Sequence, residues 1–176
     1  MGGRTVKKET LVEVFTGLGF QKVESFRQSG NVVFEAGESG DDKLREAVEA
    51  ALHRRLGYEV AVVVRTLDDL KRLVGLDPFK GPEDEDASFL VTMLRDPPAR
   101  FPLDLPLVIP RSTAEVISRR GADVFSVTHG GGEGALPNPF LESKLKTKAT
   151  TRNMNVLRDI VERFGELPGR RDGNPR

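Results

Sequence analysis

The second half of the chain is organised around residues 144–155, which read Lys-Leu-Lys-Thr-Lys-Ala-Thr-Thr-Arg-Asn-Met-Asn. A short strand is predicted near Thr147–Thr150, because it would complete a β-α-β-β-α-β plait. Apolar residues at helical spacing begin directly afterwards, at Val156. Thr150 and Thr151 precede this helix, where hydroxyl side chains cap free backbone N–H groups.

The same stretch carries a local excess of positive charge. No acidic residue falls between Glu142 and Asp159. A helix N-terminus has unpaired donors and partial positive charge, so basic residues beside it predict an anion site. The alternative is a capped helix with a solvated basic lead-in. The predicted anion-binding residues of this stretch are Lys144, Lys148, Thr151, Arg152 and Asn153.

The composition excludes several kinds of chemistry. The 176 residues carry 27 Lys and Arg against 27 Asp and Glu, so the chain lacks the net positive charge of proteins that coat nucleic acid. Cysteine is absent, which excludes disulfides, thiolate catalysis and Cys-ligated metals. Two histidines without a nearby acid pair do not make a metal site. Neither a phosphate-loop nor a dinucleotide motif occurs, so no cofactor is predicted.

Nothing in the sequence predicts a membrane protein. The N-terminal residues Met-Gly-Gly-Arg-Thr-Val-Lys-Lys have no apolar core and are not a signal peptide. The longest β-branched apolar run, Val60–Val64, is too short to cross a bilayer. We therefore expect a soluble, cytoplasmic protein with no membrane partner.

The second half predicts a complete plait. Ser88–Arg95 is the first strand, and the prolines that follow prevent one regular helix in the next connection. Thr113–Arg119 and Asp123–His129 form a hairpin, and Asn138 is predicted to cap a short helix whose first residue is Pro139. With a strand near Thr147–Thr150 and a final helix, this order is that of the split βαβ plait.

The first half shows the same pattern without its first strand. A helix, a hairpin, the apolar helical stripe Leu44–Leu56, the strand Tyr58–Arg65 and a short helix follow one another. The predicted fold is α+β, with two tandem ferredoxin-like (α-β plait) units, the first lacking its initial strand. Tyr58–Arg65 loses its neighbour and is predicted to be an exposed edge through which the chain self-associates.

The predicted domain limits follow breaks in composition. The segment 81–87 contains the acidic run Glu83–Asp86 and is interpreted as a linker. The last ten residues contain almost no apolar side chain and are predicted to be disordered. The predicted divisions are an incomplete plait over residues 1–80, the acidic linker 81–87, a second plait over 88–166 and a tail over 167–176.

The polar turn Gln28–Asn31 joins the strands of the first hairpin. Its default role is to close the hairpin, because Gly and Asn tolerate positive φ. The functional alternative is that Ser29 and Asn31 face the same cleft as the anion site, with Lys7 and Lys8 adding to it. Polar groups from separate segments that converge on one cleft form a ligand site.

Two motifs together resemble the DUF1697 family, a bacterial family of unknown function. They are Gln-Ser-Gly-Asn-Val-Val-Phe at residues 28–34 and Ala-Thr-Thr-Arg-Asn at residues 149–153. The resemblance extends over nearly the whole chain, from Gly2 to Phe164. Family members resemble tandem α-β plaits, which agrees with the two-unit prediction.

The chain departs from the family pattern at two places. The usual opening strand and its Arg-Gly-Ile-Asn-Val-Gly-Gly motif are reduced to Met1-Gly2-Gly3, which implies a late start codon or a truncated chain. Met154 stands where the family commonly has Trp. If that aromatic ring stacks on a ligand, this chain has lost the contact.

The favoured function is a binding protein with an anion- or phosphate-binding cleft at the N-terminus of the final helix. The expected partner is a phosphorylated small molecule or nucleotide. The first alternative is an enzyme acting on a phosphorylated small molecule, with Glu142 and Lys144 as a candidate pair. A nucleic-acid-binding module, disfavoured by the neutral net charge, and a self-associating module are the others. An esterase is excluded, because His129–Gly132 copies an oxyanion loop but no Gly-x-Ser-x-Gly elbow occurs.

Overall fold

The structure is a computed structural model that describes residues 6–27, 30–37, 41–76, 78–79, 86–130 and 136–165. Ser29, most of the predicted acidic linker and the predicted disordered tail lie outside these residues. The chain divides into two compact units, Met1–Val64 and Arg65–Arg176.

The first unit contains two helices and a hairpin. Its strands pair antiparallel, and Phe26 lies opposite Asn31 beside the turn. The apolar stripes of both helices face a common core, as the helical spacing predicts. Phe34 joins this core, with its ring centroid 5.0 Å from that of Phe15 and 4.7 Å from that of Phe20. The elements are α1 (Lys8–Gly17), β1 (Gln21–Phe26), β2 (Asn31–Glu35) and α2 (Asp41–Leu56).

Residues 58–65 do not form a strand, so the predicted strand Tyr58–Arg65 is wrong. Among the described residues of this unit, the sheet contains β1 and β2 alone. A strand requires a neighbouring strand for its ladder of hydrogen bonds. Val60, Val62 and Val64 instead pack against the core, and the Val62 N–H donates to Glu49 Oε1 over 2.9 Å. The apolar run is explained by core packing.

The second unit is built on one five-stranded antiparallel sheet. Its strand order is β4-β5-β6-β3-β7, which places β3 between β6 and β7. The predicted strand near Thr147–Thr150 is present as β7. The elements are α3 (Leu67–Gly75), β3 (Ser88–Leu94), β4 (Leu107–Val108), β5 (Ala114–Arg120), β6 (Asp123–Thr128), α4 (Pro137–Leu145), β7 (Ala149–Asn153) and α5 (Met154–Phe164). The predicted cap at Asn138 is wrong, because α4 already begins at Pro137.

The connection from β3 to β5 contains no helix, as its prolines predict. Its apolar residues Phe101, Leu103 and Leu105 pack against a core that also contains Leu141 of α4. The short strand β4 then pairs with β5, with Leu107 opposite Val116. Helices combined with antiparallel sheets in both units agree with the α+β class. None of the described helices has the length and apolar character needed to cross a membrane.

Helix α3 belongs to the second unit, whereas the predicted limit at residue 80 placed it in the first. It packs against α5, and its buried residues are Leu70 and Leu73. Thr66 caps this helix: its hydroxyl accepts from the Asp69 N–H, and Asp69 accepts from the Thr66 N–H. This reciprocal arrangement satisfies two backbone N–H groups at the start of the helix.

The core of the first unit is expected to depend strongly on Leu52 of α2, which is 2% exposed. Leu52→Ala should lower the free energy of unfolding by about 2–5 kcal/mol, because it removes buried contacts and leaves a cavity. Leu56→Ala, at the partly exposed end of the same helix, is the control and should cost less. Urea denaturation followed by circular dichroism measures both. Equal losses for the two variants would contradict this account of the core.

Candidate functional site

Arg152 lies on β7, one residue before the last residue of the strand. Its Nη1 donates to Thr150 Oγ1 over 2.7 Å and to the Thr151 carbonyl oxygen over 2.8 Å. Burial lowers the pKa of the Arg152 guanidinium below its ordinary value. An arginine side chain nevertheless stays charged at neutral pH. The structure therefore holds a partly buried positive charge at the junction of β7 and α5.

Thr151 points to the opposite face of the sheet from Arg152, because side chains alternate along a strand. Its hydroxyl lies 2.8 Å from that of Thr92 on β3, and it donates to Asn138 Oδ1 over 3.4 Å. Thr151 is 8% exposed. This residue joins β7 to β3 and α4, so the structure gives it a packing role.

The N-terminus of α5 is capped by Asn153, whose Oδ1 accepts from the Asn155 N–H over 2.9 Å. The prediction that Thr150 and Thr151 cap this helix is wrong, because both lie within β7. Asn153 has the extended backbone of a cap residue, and the helix begins directly after it, at Met154.

The predicted lysines lie on the approach to β7. Lys144 is in the last turn of α4, with its Nζ 5.8 Å from the centroid of the Phe140 ring. Lys148 is exposed, and its carbonyl oxygen accepts from the Arg95 N–H. Glu142 Oε1 accepts from the Ala149 N–H over 2.9 Å, so this carboxylate ties α4 to β7.

Asn31, the described residue of the predicted Ser29–Asn31 pair, belongs to the first unit. Its Nδ2 donates to the Phe26 carbonyl oxygen over 3.4 Å, across the end of the hairpin. This contact agrees with a role in closing the turn. The predicted convergence of Ser29 and Asn31 on the Arg152 site stays a prediction.

A cavity of about 240 Å³ lies within the first unit, at the N-terminus of α1. One wall consists of residues 6–9 and Leu11, and the other of Ser25, Arg27 and Gly30 from the hairpin. Gly30 has a φ of +75°, a conformation that favours glycine in this turn. The cavity thus brings Lys7 and Lys8 beside the hairpin, whereas their predicted convergence with the Arg152 site stays a prediction.

Ser25 lines this cavity, and its hydroxyl oxygen is buried. Its Oγ has no hydrogen-bond partner among the described residues. Ser25 lies opposite Val32, which packs against the core formed by the two helices. Residues opposite each other in an antiparallel pair share a face, so Ser25 points to the helix-covered side of the hairpin. The hydroxyl is therefore held between the hairpin and α1.

The first turn of α1 lacks a side-chain cap. Lys7 occupies the cap position, and its side chain makes no capping hydrogen bond. A lysine has no acceptor atom, whereas the first N–H groups of a helix have no acceptor within the helix. Lys8 and Glu9 approach each other at 3.9 Å, in an exposed contact that is weakened by solvent. The cavity therefore combines several donors and positive charges.

Sequence reasoning missed Ser25 and Arg27. The position of Ser25 on the hairpin could have identified it from the sequence. It precedes the turn on the same face as apolar residues that line the core, where a polar side chain is unusual. Arg27 gave no signal, because its place in the cavity depends on the fold around the turn.

A larger cavity of about 380 Å³ lies between the C-terminal parts of α1 and α2. It is lined by Val14, Leu18 and Ala51 together with charged residues. Arg55 Nη2 lies 3.4 Å from Glu13 Oε2, so a carboxylate compensates this charge inside the cavity wall. This cavity therefore has less to attract an anion than the one beside Ser25.

One further charged pair is partly buried in the second unit. Arg65 Nη2 donates to Asp123 Oδ1 over 3.1 Å, and both side chains are 20% exposed. Burial raises the pKa of the Asp123 carboxyl, and the neighbouring Arg65 opposes this shift. The pair ties Arg65, two residues before α3, to the first residue of β6. Among the described residues, no group of three His, Asp or Glu side chains is arranged to hold a metal ion.

The cap assignment at α5 is open to a direct test. Asn153→Ala should lower the free energy of unfolding by about 1 kcal/mol, because it removes the side-chain acceptor of the first turn. Asn155→Ala is the matched control, since the Asn155 side chain accepts from exposed Arg158. Thermal denaturation of both variants gives the comparison. A larger loss for Asn155→Ala would contradict the assignment.

A family model described as "Protein of unknown function (DUF1697)" matches residues 1–125. The match is shorter than the resemblance noted from the motifs: it includes the cavity at α1 and ends before β7. No curated protein and no solved structure matches the chain. Because the model covers 125 of the 176 residues, the chain belongs to the DUF1697 family of proteins of unknown function.

Proposed function

We propose that this protein binds a small anionic ligand in the cavity at the N-terminus of α1. The observation that carries the proposal is the buried Ser25 hydroxyl, which has no partner among the described residues. Ser25 lines one cavity with Lys7, Lys8 and Arg27. An oxyanion would accept hydrogen bonds from all of these groups, and hydrogen bonds to charged acceptors are the strong ones.

The buried hydroxyl of Ser25 destabilises the protein when no ligand is bound. A buried hydroxyl without a partner costs about 1–3 kcal/mol. An oxygen of a bound ligand would remove this cost by accepting from Ser25 Oγ. The uncapped start of α1 adds about 0.3–1 kcal/mol for a negative group placed near it. Both effects favour the ligand-bound protein.

Arg27 supports the same assignment. It has a φ of +55°, a left-handed conformation that is uncommon outside glycine, and it lines the cavity. This conformation costs roughly 1–2 kcal/mol in an ordinary residue. Strained backbone of this kind is concentrated at functional sites.

The junction of β7 and α5 is the second candidate anion site. The observation that favours it is the partly buried Arg152 guanidinium beside the first turn of α5. Nearby Thr150 and the Thr151 carbonyl orient this side chain. Asn153 already accepts from one N–H of the helix start, so fewer donors are left for a ligand than at α1. Lys144 and Lys148 are proposed members of this site.

We also propose that the chain folds as two tandem plait-like units. In the second unit, β3 lies between β6 and β7, as the first strand of a split βαβ plait lies between its third and fourth strands. In the first unit, the order helix, hairpin, helix matches a plait without its first strand. A phosphorylated small molecule is the partner class that fits either candidate site.

The cavity at α1 is tested by Ser25→Ala. Without ligand, this variant should be as stable as the native chain or more stable by up to about 1 kcal/mol, because it removes an unsatisfied buried hydroxyl. Its affinity for inorganic phosphate should fall about tenfold, since a hydrogen bond to a charged acceptor is lost. Thermal melts measure the stability, and a phosphate titration followed at the Lys8 and Gly30 N–H signals by NMR measures the affinity.

Lys43→Ala is the matched control for this experiment. Lys43 is an exposed cation on α2 that does not line the cavity. Its replacement should leave phosphate binding unchanged at the cavity signals. Unchanged phosphate affinity in Ser25→Ala would contradict the proposed function at this cavity.

The second candidate site is tested by Arg152→Ala. Phosphate binding, followed at the Asn155 N–H signal, should weaken about tenfold or more, because a charge-assisted contact is removed. Arg158→Ala removes an exposed arginine from the same helix and is the control. Equal phosphate responses in the two variants would exclude Arg152 as an anion-binding residue.

A further inference from the structure

We infer that Glu142 and Arg152 cover the outer edge of β7 and thereby prevent a second copy of this chain from adding a strand to the second unit. This inference does not depend on the anion binding proposed above. Among the described strands, β7 lies at one edge of the five-stranded sheet and pairs with β3 alone. A strand in this position presents backbone N–H and C=O groups that another chain can use for pairing.

The register of β7 determines which of its backbone groups face outward. The Lys148 carbonyl oxygen accepts from the Arg95 N–H over 2.8 Å, so the backbone of Lys148 is turned toward β3. In an antiparallel pair, residues that bond to the neighbouring strand alternate with residues that do not. Every second residue from Lys148 therefore bonds to β3, whereas Ala149 and Thr151 direct their N–H and C=O groups to the outer edge.

Side chains of the chain itself occupy one outward group on each of these two residues. Glu142 Oε1, on α4, accepts from the Ala149 N–H over 2.9 Å. Arg152 Nη1 donates to the Thr151 carbonyl oxygen over 2.8 Å, and it also donates to Thr150 Oγ1 over 2.7 Å. A strand added to this edge would have to displace the carboxylate and the guanidinium, and hydrogen bonds to charged groups are the strong ones.

The basic residues around β7 oppose the same kind of contact. Lys146 and Lys148 are exposed just before the strand, and Arg158 is exposed on α5. No acidic residue lies between Glu142 and Asp159 in the sequence. Two copies paired through β7 would bring these positive charges together, and charged side chains, lysine above all, commonly protect sheet edges. The local excess of positive charge thus has an explanation that requires no ligand.

The opposite edge of the sheet is protected in a different way. β4 contains two residues, Leu107 and Val108, with Pro106 before it and Pro110 two residues after it. A very short edge strand beside prolines gives an added strand few backbone groups to pair with. β7 is the longer of the two edge strands, so it is the edge at which covering side chains matter more.

The test removes both covering side chains and compares the result with a matched control. The test variant is Glu142→Ala/Arg152→Ala. The control is Glu162→Ala/Arg158→Ala, which removes an exposed glutamate and an exposed arginine of α5. Both double variants keep the net charge of the chain. Analytical ultracentrifugation over a range of protein concentrations measures self-association, and circular dichroism checks that each variant is folded.

The test variant should self-associate at least about tenfold more tightly than the native chain, because an added strand can then bond to both uncovered backbone groups. The Thr151 N–H should become protected from hydrogen exchange in the associated form, since it faces the added strand. The control variant should associate no more than the native chain. Equal self-association of the two double variants would overturn the inference.

Hydrogen exchange at single amides, measured by NMR, decides the case even if the test variant does not fold. In the native chain, the Ala149 N–H should exchange slowly although it faces away from β3, because Glu142 covers it. Glu142→Gln keeps an acceptor oxygen and should preserve this protection, whereas Glu142→Ala should speed exchange at Ala149 about tenfold. The Thr150 N–H, which bonds to β3, is the internal reference. Acceleration at Ala149 alone supports the inference, and equal acceleration at both amides would overturn it.

Discussion

The second unit depends on a single central strand that is paired on both edges and buried on both faces. β3 bonds to β6 on one side and to β7 on the other, and Leu90, Val91, Met93 and Leu94 are each at most 7% exposed. A strand in this position has no exposed face for polar groups. Thr92 is a polar residue between these apolar ones, and its Oγ1 lies 2.8 Å from Thr151 Oγ1, within hydrogen-bond distance. Because Thr92 is buried, β7 must provide a hydrogen-bonding side chain opposite it, and Thr151 does so.

This constraint separates the residues of the Ala-Thr-Thr-Arg-Asn motif into different roles. Thr151 satisfies a buried hydroxyl, and Asn153 caps the helix that begins directly after the strand. Both residues are explained by folding alone. Alternation along the strand leaves Thr150 and Arg152 on the other face, where the guanidinium is held by its neighbours. Of the residues first predicted to bind an anion, Arg152 keeps the strongest structural case.

Much of the fold can be predicted from local sequence patterns. The wrong predictions concern features that depend on residues distant in the sequence. The stripe Leu44–Leu56 predicts α2, and the apolar run at Ser88–Arg95 predicts β3, because burial and periodicity are visible in sequence. Tyr58–Arg65 has equally strong strand character, yet a strand exists only with a partner. The cap at α5 was predicted at the wrong residue because Thr150, Thr151 and Asn153 all have a side-chain oxygen that can accept a hydrogen bond. The role of Ser25 was missed because a hydroxyl's partners depend on the tertiary fold.

Three features that each cost stability occur together at the α1 cavity. Lys7 occupies a helix-cap position where Ser, Thr, Asp or Asn would stabilise the helix. Arg27 adopts a left-handed backbone, and the Ser25 hydroxyl is buried without a partner among the described residues. Each feature alone is a minor defect of the kind that proteins tolerate. Several locally unfavourable residues around one cavity are typical of a functional site. A bound ligand can offset their cost by supplying hydrogen bonds that the protein lacks. An oxyanion near Lys7 and Lys8 would accept hydrogen bonds from the free N–H groups at the start of α1.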